Sequence, residues 1–245
     1  MDVTDSNAYL GKWAYWNMEV NTGDQLADHL KRNGIERALV SSLRSAFADV
    51  EEGNLELLKA CRKHPDTLFG LATLTPFSKR KGVGIQALTS GTFKGIRVSP
   101  QYHGYPLANC SRVIEVAEDL GVPLVLSYRL ILSWNLPTLG MGEVLSLVRE
   151  HRRVSFVLSG VNYEAMTILS MKKPPANLFV ETSCLQLWEG TRLLLESLGA
   201  DRVLLGTGTP VQYARSATSN VLDSTLTPKQ KERVASTNAR RLFGL

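Results

Sequence analysis

NCSRVIEVAEDLGVPLVLS, residues Asn109–Ser127, is the stretch that decides the fold. Within it Val113, Val116, Ala117 and Leu120 recur at helical spacing and lie along one face of a helix. Asn109 stands where a capping side chain would accept the first free N–H groups of that helix. Gly121 supplies the stop, because glycine takes the left-handed turn that ends a helix without steric cost. Val122-Pro123 then leaves helical backbone, since the residue before a proline is pushed towards extended conformation. Leu124-Val125-Leu126 follows as a short apolar run of the kind found in a strand covered on both faces. The segment is one helix feeding directly into one buried strand.

The same punctuation recurs at Asn33-Gly34-Ile35 and Leu198-Gly199-Ala200. Working outward, apolar runs predict strands near 3–9, 36–42, 68–74, 93–98, 123–128, 154–159, 177–182 and 202–207. Helical patterns lie near 23–33, 52–63, 82–90, 110–120, 141–150, 162–173 and 190–199, with a last one running to about 242. Eight strand–helix units in 245 residues predict one domain, 1–245, of the α/β class: a (β/α)8 TIM barrel. An open doubly wound sheet is the alternative, but no G-x-G-x-x-G follows the first strand. Residues 174–176 read as a short proline-rich connector within the domain.

The apolar and charged fractions, 44% and 21%, are those of an ordinary globular protein. The net charge of +5 is scattered, and no basic run is interleaved with aromatics, which argues against nucleic acid as a partner. Lys79-Arg80-Lys81 and Arg152-Arg153 read as solvated edges. Cys61, Cys110 and Cys184 are widely spaced and odd in number, so free thiols in a reducing, cytoplasmic compartment are expected. No signal-peptide pattern opens the chain, and no apolar run reaches the roughly 18 residues of a membrane span.

A series of motifs in fixed order resembles one family. They are Asp5 through Gly11, Gly53-Asn54-Leu55-Glu56, Gly70-Leu71-Ala72 before Pro76, and Lys94-Gly95-Ile96-Arg97-Val98-Ser99-Pro100 followed by Tyr102-His103-Gly104-Tyr105. Further on come Phe156-Val157-Leu158-Ser159-Gly160, Asn177 through Ser183, Asp201 through Pro210, and Asn238-Ala239-Arg240-Arg241-Leu242. Together they resemble the amidohydrolase-related barrels of the decarboxylase and lactone-hydrolase branch, a metal-dependent hydrolase-like fold. The resemblance implies a divalent metal at the C-terminal mouth of the barrel. Its ligands would be a His-x-His on the first strand, histidines ending the fifth and sixth, and an aspartate ending the eighth. In this sequence those positions fall on Asn7 and Tyr9, Ser127, Ser159 and Gly208.

A catalytic zinc site takes about three strong N, S or carboxylate ligands. Amide and hydroxyl oxygens bring no charge, Tyr9 would have to ionise from an ordinary pKa of about 10, and Gly208 has no side chain. The expectation is a barrel with no metal and no cofactor. Of the histidines, His29 and His64 fall on outer helices and His151 on the opposite face, each as a surface or helix-end residue. Only His103 lies on a mouth-side loop.

The strand ends should gather Asn7, Tyr9, Trp13, Tyr15, Trp16, Arg97, Tyr102, His103, Tyr105, Ser127, Tyr128, Arg129, Trp134, Ser159, Asn162, Glu181, Ser183, Thr207 and Thr209. Of these, His103, Tyr9 and Glu181 are the candidate catalytic groups. Arg97, Asn7, Trp13, Tyr102, Tyr105, Ser127, Ser159 and Thr207 are candidates for holding a small anionic ligand. The alternative is that the hydroxyls merely fill the space left by imidazoles. Arg97 and Glu181 should pair inside the barrel, either as a structural ion pair or as a grip on a substrate carboxylate. Trp13-Ala14-Tyr15-Trp16 reads as a lid, a pocket wall or a patch for self-association into a homo-oligomer. The functional expectation is a metal-free family member, either a binder or metal-independent catalyst for small acids or a non-catalytic subunit. The alternative is a metal-dependent hydrolase or decarboxylase acting on a small carboxylate or lactone.

Overall fold

The computed structural model describes residues 1–131, 137–171 and 173–245. Its strands are β1 Thr4–Leu10, β2 Arg37–Ser42, β3 Leu68–Thr73, β4 Phe93–Val98, β5 Leu124–Ser127, β6 Phe156–Ser159, β7 Leu178–Glu181 and β8 Val203–Leu204. They form one parallel sheet in the order β1 to β8. Backbone bonds past β8 bring its two ends together: Ser6 N–H donates to the Leu205 carbonyl, Tyr9 N–H to Thr209 and Gly208 N–H to Asn7, each at 2.8 Å. The result is the expected (β/α)8 barrel. β8 is shorter than expected because its last residues bend towards β1 rather than continue the ladder.

The helices are α1 Gly23–Arg32, α2 Leu43–Phe47, α3 Val50–Lys63, α4 Val83–Thr89, α5 Pro100–His103, α6 Ser111–Leu120, α7 Met141–Glu150, α8 Ala165–Leu169, α9 Gly190–Leu198, α10 Ala214–Leu222, α11 Pro228–Glu232 and α12 Asn238–Phe243. Gly121 ends α6 at φ 63°, as its position requires. Asn109 does not cap that helix; it sits in a 3₁₀ turn, Leu107–Cys110, and α6 starts without a side-chain cap. The helix expected near 162–173 is confined to α8 among the described residues. α2 was not foreseen: at five residues it is too short to show a period, and it forms because Ser42 accepts the Ser45 N–H. Among the described residues no helix is long and apolar enough to cross a membrane.

Alternation along the strands sorts the barrel interior into layers. Leu39, Leu71, Val125, Val157 and Leu204 make an apolar floor with Ala239 and Phe243 of α12. Gly95 admits that plug, since a Cβ there would lie 3.0 Å from the Phe243 ring. Two residues further along the strands stand Ser41, Thr73, Arg97, Ser127, Ser159, Glu181 and Gly206, a polar layer. Above it an apolar cap of Tyr9, Trp13, Met18, Leu43, Ala46, Leu130, Ile131 and Val211 packs together from the loops and strand ends. Trp134 lies outside the described residues.

Gly206 makes room for Glu181. A Cβ at Gly206 would come 1.9 Å from Glu181 Oε2 and 3.1 Å from Asn7 Cβ. Gly206→Ala is expected to cost about 2–3 kcal/mol of stability in urea unfolding. Wild-type stability in that variant would show that the carboxylate is free to move aside.

Candidate functional site at the barrel mouth

The register between β1 and β2 shifts between Asp5 and Ala8. Such irregularities re-aim side chains at strand ends, and here Asn7 and Tyr9 turn onto Arg97. Arg97 Nη2 donates to Asn7 Oδ1 at 2.8 Å. Its Nη1 donates to Tyr9 Oη and Ser127 Oγ, each at 3.2 Å, and to Ser159 Oγ at 3.4 Å. The guanidinium also lies over the Tyr9 ring, 5.4 Å from its centroid. Arg97 is 2% exposed, and Asn7, Ser127, Ser159 and Glu181 are fully enclosed.

Glu181 is held by a set of donors that includes two of the Arg97 partners, Asn7 and Ser159. Its Oε1 accepts from Gly160 N–H at 2.6 Å, Ser183 Oγ at 2.8 Å, Ser159 Oγ at 2.9 Å and Asn7 Nδ2 at 3.4 Å; its Oε2 accepts from Ser183 N–H at 2.6 Å. Arg97 and Glu181 both face the barrel interior, but the direct ion pair expected between them does not form. Asn7 and Ser159 stand between them, each accepting from Arg97 and donating to Glu181. Two opposite buried charges thus balance through two neutral relays, which avoids the cost of a lone buried charge.

Asp5, buried below Asn7, accepts from the N–H groups of Asn7 and Thr207, each at 2.9 Å, and from Thr207 Oγ at 2.5 Å. Thr207, expected to bind a ligand, is occupied by this contact. Burial raises the Asp5 carboxyl from 3.8 to about 6 despite those donors.

His103 lies away from the Arg97 cluster. Its ring stacks on Tyr105, 6.2 Å between centroids at 13°, and Nε2 is 2.9 Å from the Ser45 carbonyl. Burial lowers its pKa. Among the described residues it makes no hydrogen bond to Tyr9, Glu181 or Arg97. Tyr9 donates to the Leu130 carbonyl at 3.2 Å, and burial raises its phenol pKa. Tyr102 packs edge-on against Phe47, and Trp13 is buried in the cap. Arg129 pairs with Glu164 and lies over the Tyr128 ring, while Asn162 Oδ1 accepts from Gln186 N–H. His29, expected at the surface, is half-buried and sits 2.8 Å from Thr209 Oγ1. The mouth therefore gathers Asn7, Tyr9, Arg97, Ser127, Ser159 and Glu181 under a cap against which Tyr102 packs, and leaves His103 and Tyr105 apart. The reading of the sequence missed Asp5, although it shares the odd-numbered face of β1 with Asn7 and Tyr9.

The residues at the mapped ligand positions do not fit a dication. Asn7, Tyr9, Ser127 and Ser159 all spend their oxygens on Arg97. Gly208 has φ +70°, and a Cβ there would lie 2.2 Å from Gln212 Nε2. Among the described residues no group of three or more His, Cys, Asp or Glu side chains is placed to hold a metal.

The Asp5 titration predicts a pH dependence. The folded carboxyl takes up its proton near 6 and the unfolded one near 3.8, so the stability Asp5 contributes is complete below the lower value and is lost as pH rises through the higher. Relative to Asp5→Asn, wild type should lose about 3 kcal/mol between roughly pH 4 and pH 7. A constant difference across that range in urea melts would show a carboxyl already ionised at the acid end.

Solved structures share this architecture across the whole chain. A TIM-barrel protein from Bordetella bronchiseptica superposes with a TM-score of 0.78 at 15% identity, covering 100% of this chain and 99% of that one. A 2,6-dihydroxybenzoate decarboxylase from Rhizobium gives 0.74 at 19%, covering 100% and 99%. A manganese-bound 5-carboxyvanillate decarboxylase from Novosphingobium aromaticivorans gives 0.76 at 14%, covering 100% and 97%. No curated protein matches the chain. The family model described as Amidohydrolase matches residues 22–245, nearly the full length. With the barrel it folds into, that match makes this chain a member of the amidohydrolase family.

Proposed function

We propose that this protein is a metal-free, non-catalytic member of its family, with the Arg97 guanidinium standing where the resemblance would place a metal. The observation that carries this reading is where the acceptor oxygens point. The four mapped side chains on β1, β5 and β6 all point their oxygens at one internal cation. Four neutral oxygens suit a monovalent guanidinium and leave a dication under-neutralised. Glu181 accepts five hydrogen bonds of its own, and the cap keeps the cluster from solvent. A substrate would have to break this network before meeting any of its groups. The alternative, a metal-dependent decarboxylase or hydrolase, is favoured by the family match and the fold, and neither of them fixes the chemistry of a site.

Elemental analysis of protein purified without chelator should find substoichiometric zinc, manganese and iron. 2,6-Dihydroxybenzoate and 5-carboxyvanillate, named for the structural neighbours, should release no carbon dioxide. A full equivalent of metal, or turnover abolished by a chelator, would overturn the reading. Arg97→Ala should cost about 3–5 kcal/mol, because it strands Glu181 as an unanswered buried charge. Low millimolar guanidinium should raise the melting temperature of that variant and leave wild type unchanged.

A second role, self-association, is supported by exposed aromatics on the loops around the mouth. Tyr15, Trp16, Trp188 and Tyr213 follow β1, β7 and β8 and lie open to solvent, and bare aromatic surface of this kind marks contact sites. Light scattering should show an oligomer that Trp188→Ala with Tyr213→Ala dissociates. A wild-type monomer at high concentration would remove this role.

A further inference from the structure

Beside the sealed interior, a cleft of about 860 Å³ opens between the end of β1, the start of α1, and α2 and α3. That volume lies in the range of small-molecule sites, about 300–1,000 Å³. Its walls are Leu10, Trp13 and Ala14 from the β1 end, Leu43 and Phe47 from α2, and Ala60 from α3. Trp13 and Phe47 meet edge to face, 5.2 Å between centroids, and form a rigid aromatic corner. None of these side chains belongs to the polar layer inside the barrel.

The rim is charged, and its charges are unevenly spent. Arg44 is engaged by Glu56 at 2.5 Å, and Lys63 by Asp24 at 2.7 Å. Both acidic residues that line the cleft are thereby taken. Lys12 and Lys59 also line it, both are exposed, and among the described residues neither pairs with a carboxylate. An apolar, aromatic-walled cleft with two uncommitted ammonium groups at its edge has the complementarity for an amphipathic anion.

We propose that this cleft binds a small amphipathic anion, an aromatic ring or short apolar chain ending in a carboxylate. The apolar part lies against Trp13, Ala14 and Phe47, and the carboxylate lies between Lys12 and Lys59. The site does not depend on the metal-free reading of the barrel mouth, and the two stand or fall separately.

Calorimetric titration of the full chain with 2-naphthoate tests this, with neutral 2-naphthylmethanol as the comparison. Saturable binding of the acid at millimolar concentrations or below, tighter than that of the alcohol and weakened by added salt, is expected. Lys12→Met and Lys59→Met should each weaken it about two- to fivefold. Ala48→Trp, a substitution at an exposed cleft-lining residue, should abolish it by filling the space while leaving the fold intact, as circular dichroism and melting temperature would confirm. Absence of saturable binding would overturn the proposal. So would equal affinity for the alcohol, or affinity unchanged in a folded Ala48→Trp variant.

Discussion

A guanidinium sealed inside a parallel barrel must be met by oxygen atoms and by a counter-charge, and this requirement organises the mouth of the present structure. Asn7, Tyr9, Ser127 and Ser159 supply the oxygens. Glu181 supplies the counter-charge one relay away, and it in turn depends on Ser183 and the Gly160 backbone. Every partner is a polar side chain on or just beyond a strand, or a backbone N–H just beyond one. Asn7 and Ser159 each serve both charges, so the loss of either leaves both Arg97 and Glu181 short of a partner.

The rest of the barrel supports that closure from both sides. Below, the apolar floor and the α12 plug exclude water from the strand midpoints. Above, the cap built from Trp13, Leu43, Leu130, Ile131 and Val211 covers the polar layer. Low dielectric on both sides strengthens the hydrogen bonds within the layer and makes any unmet charge there expensive. Asp5 and Thr207 extend the same logic to the seam where β8 returns to β1.

The chain has the architecture of its family. The fold superposes on the solved barrels across the whole chain, while the side chains at the mapped ligand positions, Asn7, Tyr9, Ser127 and Ser159, are neutral where a dication needs charged or strongly basic donors. At the flank of the barrel, Lys12 and Lys59 border an aromatic-walled cleft.

The eight strands, their order, and the residues at each strand end were legible in the sequence, because period and punctuation are local properties that survive without tertiary context. Asn7, Arg97, Ser127, Ser159 and Glu181 could be placed near the mouth from their positions at the strand ends and from the family resemblance. The short helices α2 and α8 escaped or misled the reading, since five residues carry no period. Asn109 looked like a cap because residue type alone does not distinguish an N-cap from a preceding 3₁₀ turn. What only the tertiary structure decided is who touches whom. Arg97 meets oxygens separated from it by 30 to 90 residues, Glu181 is answered through relays rather than directly, and His103 turns to the Ser45 carbonyl instead of the barrel centre. Side-chain direction at a strand end depends on the bulge in β1 and on the cap that folds over it, and both arise from packing between distant segments.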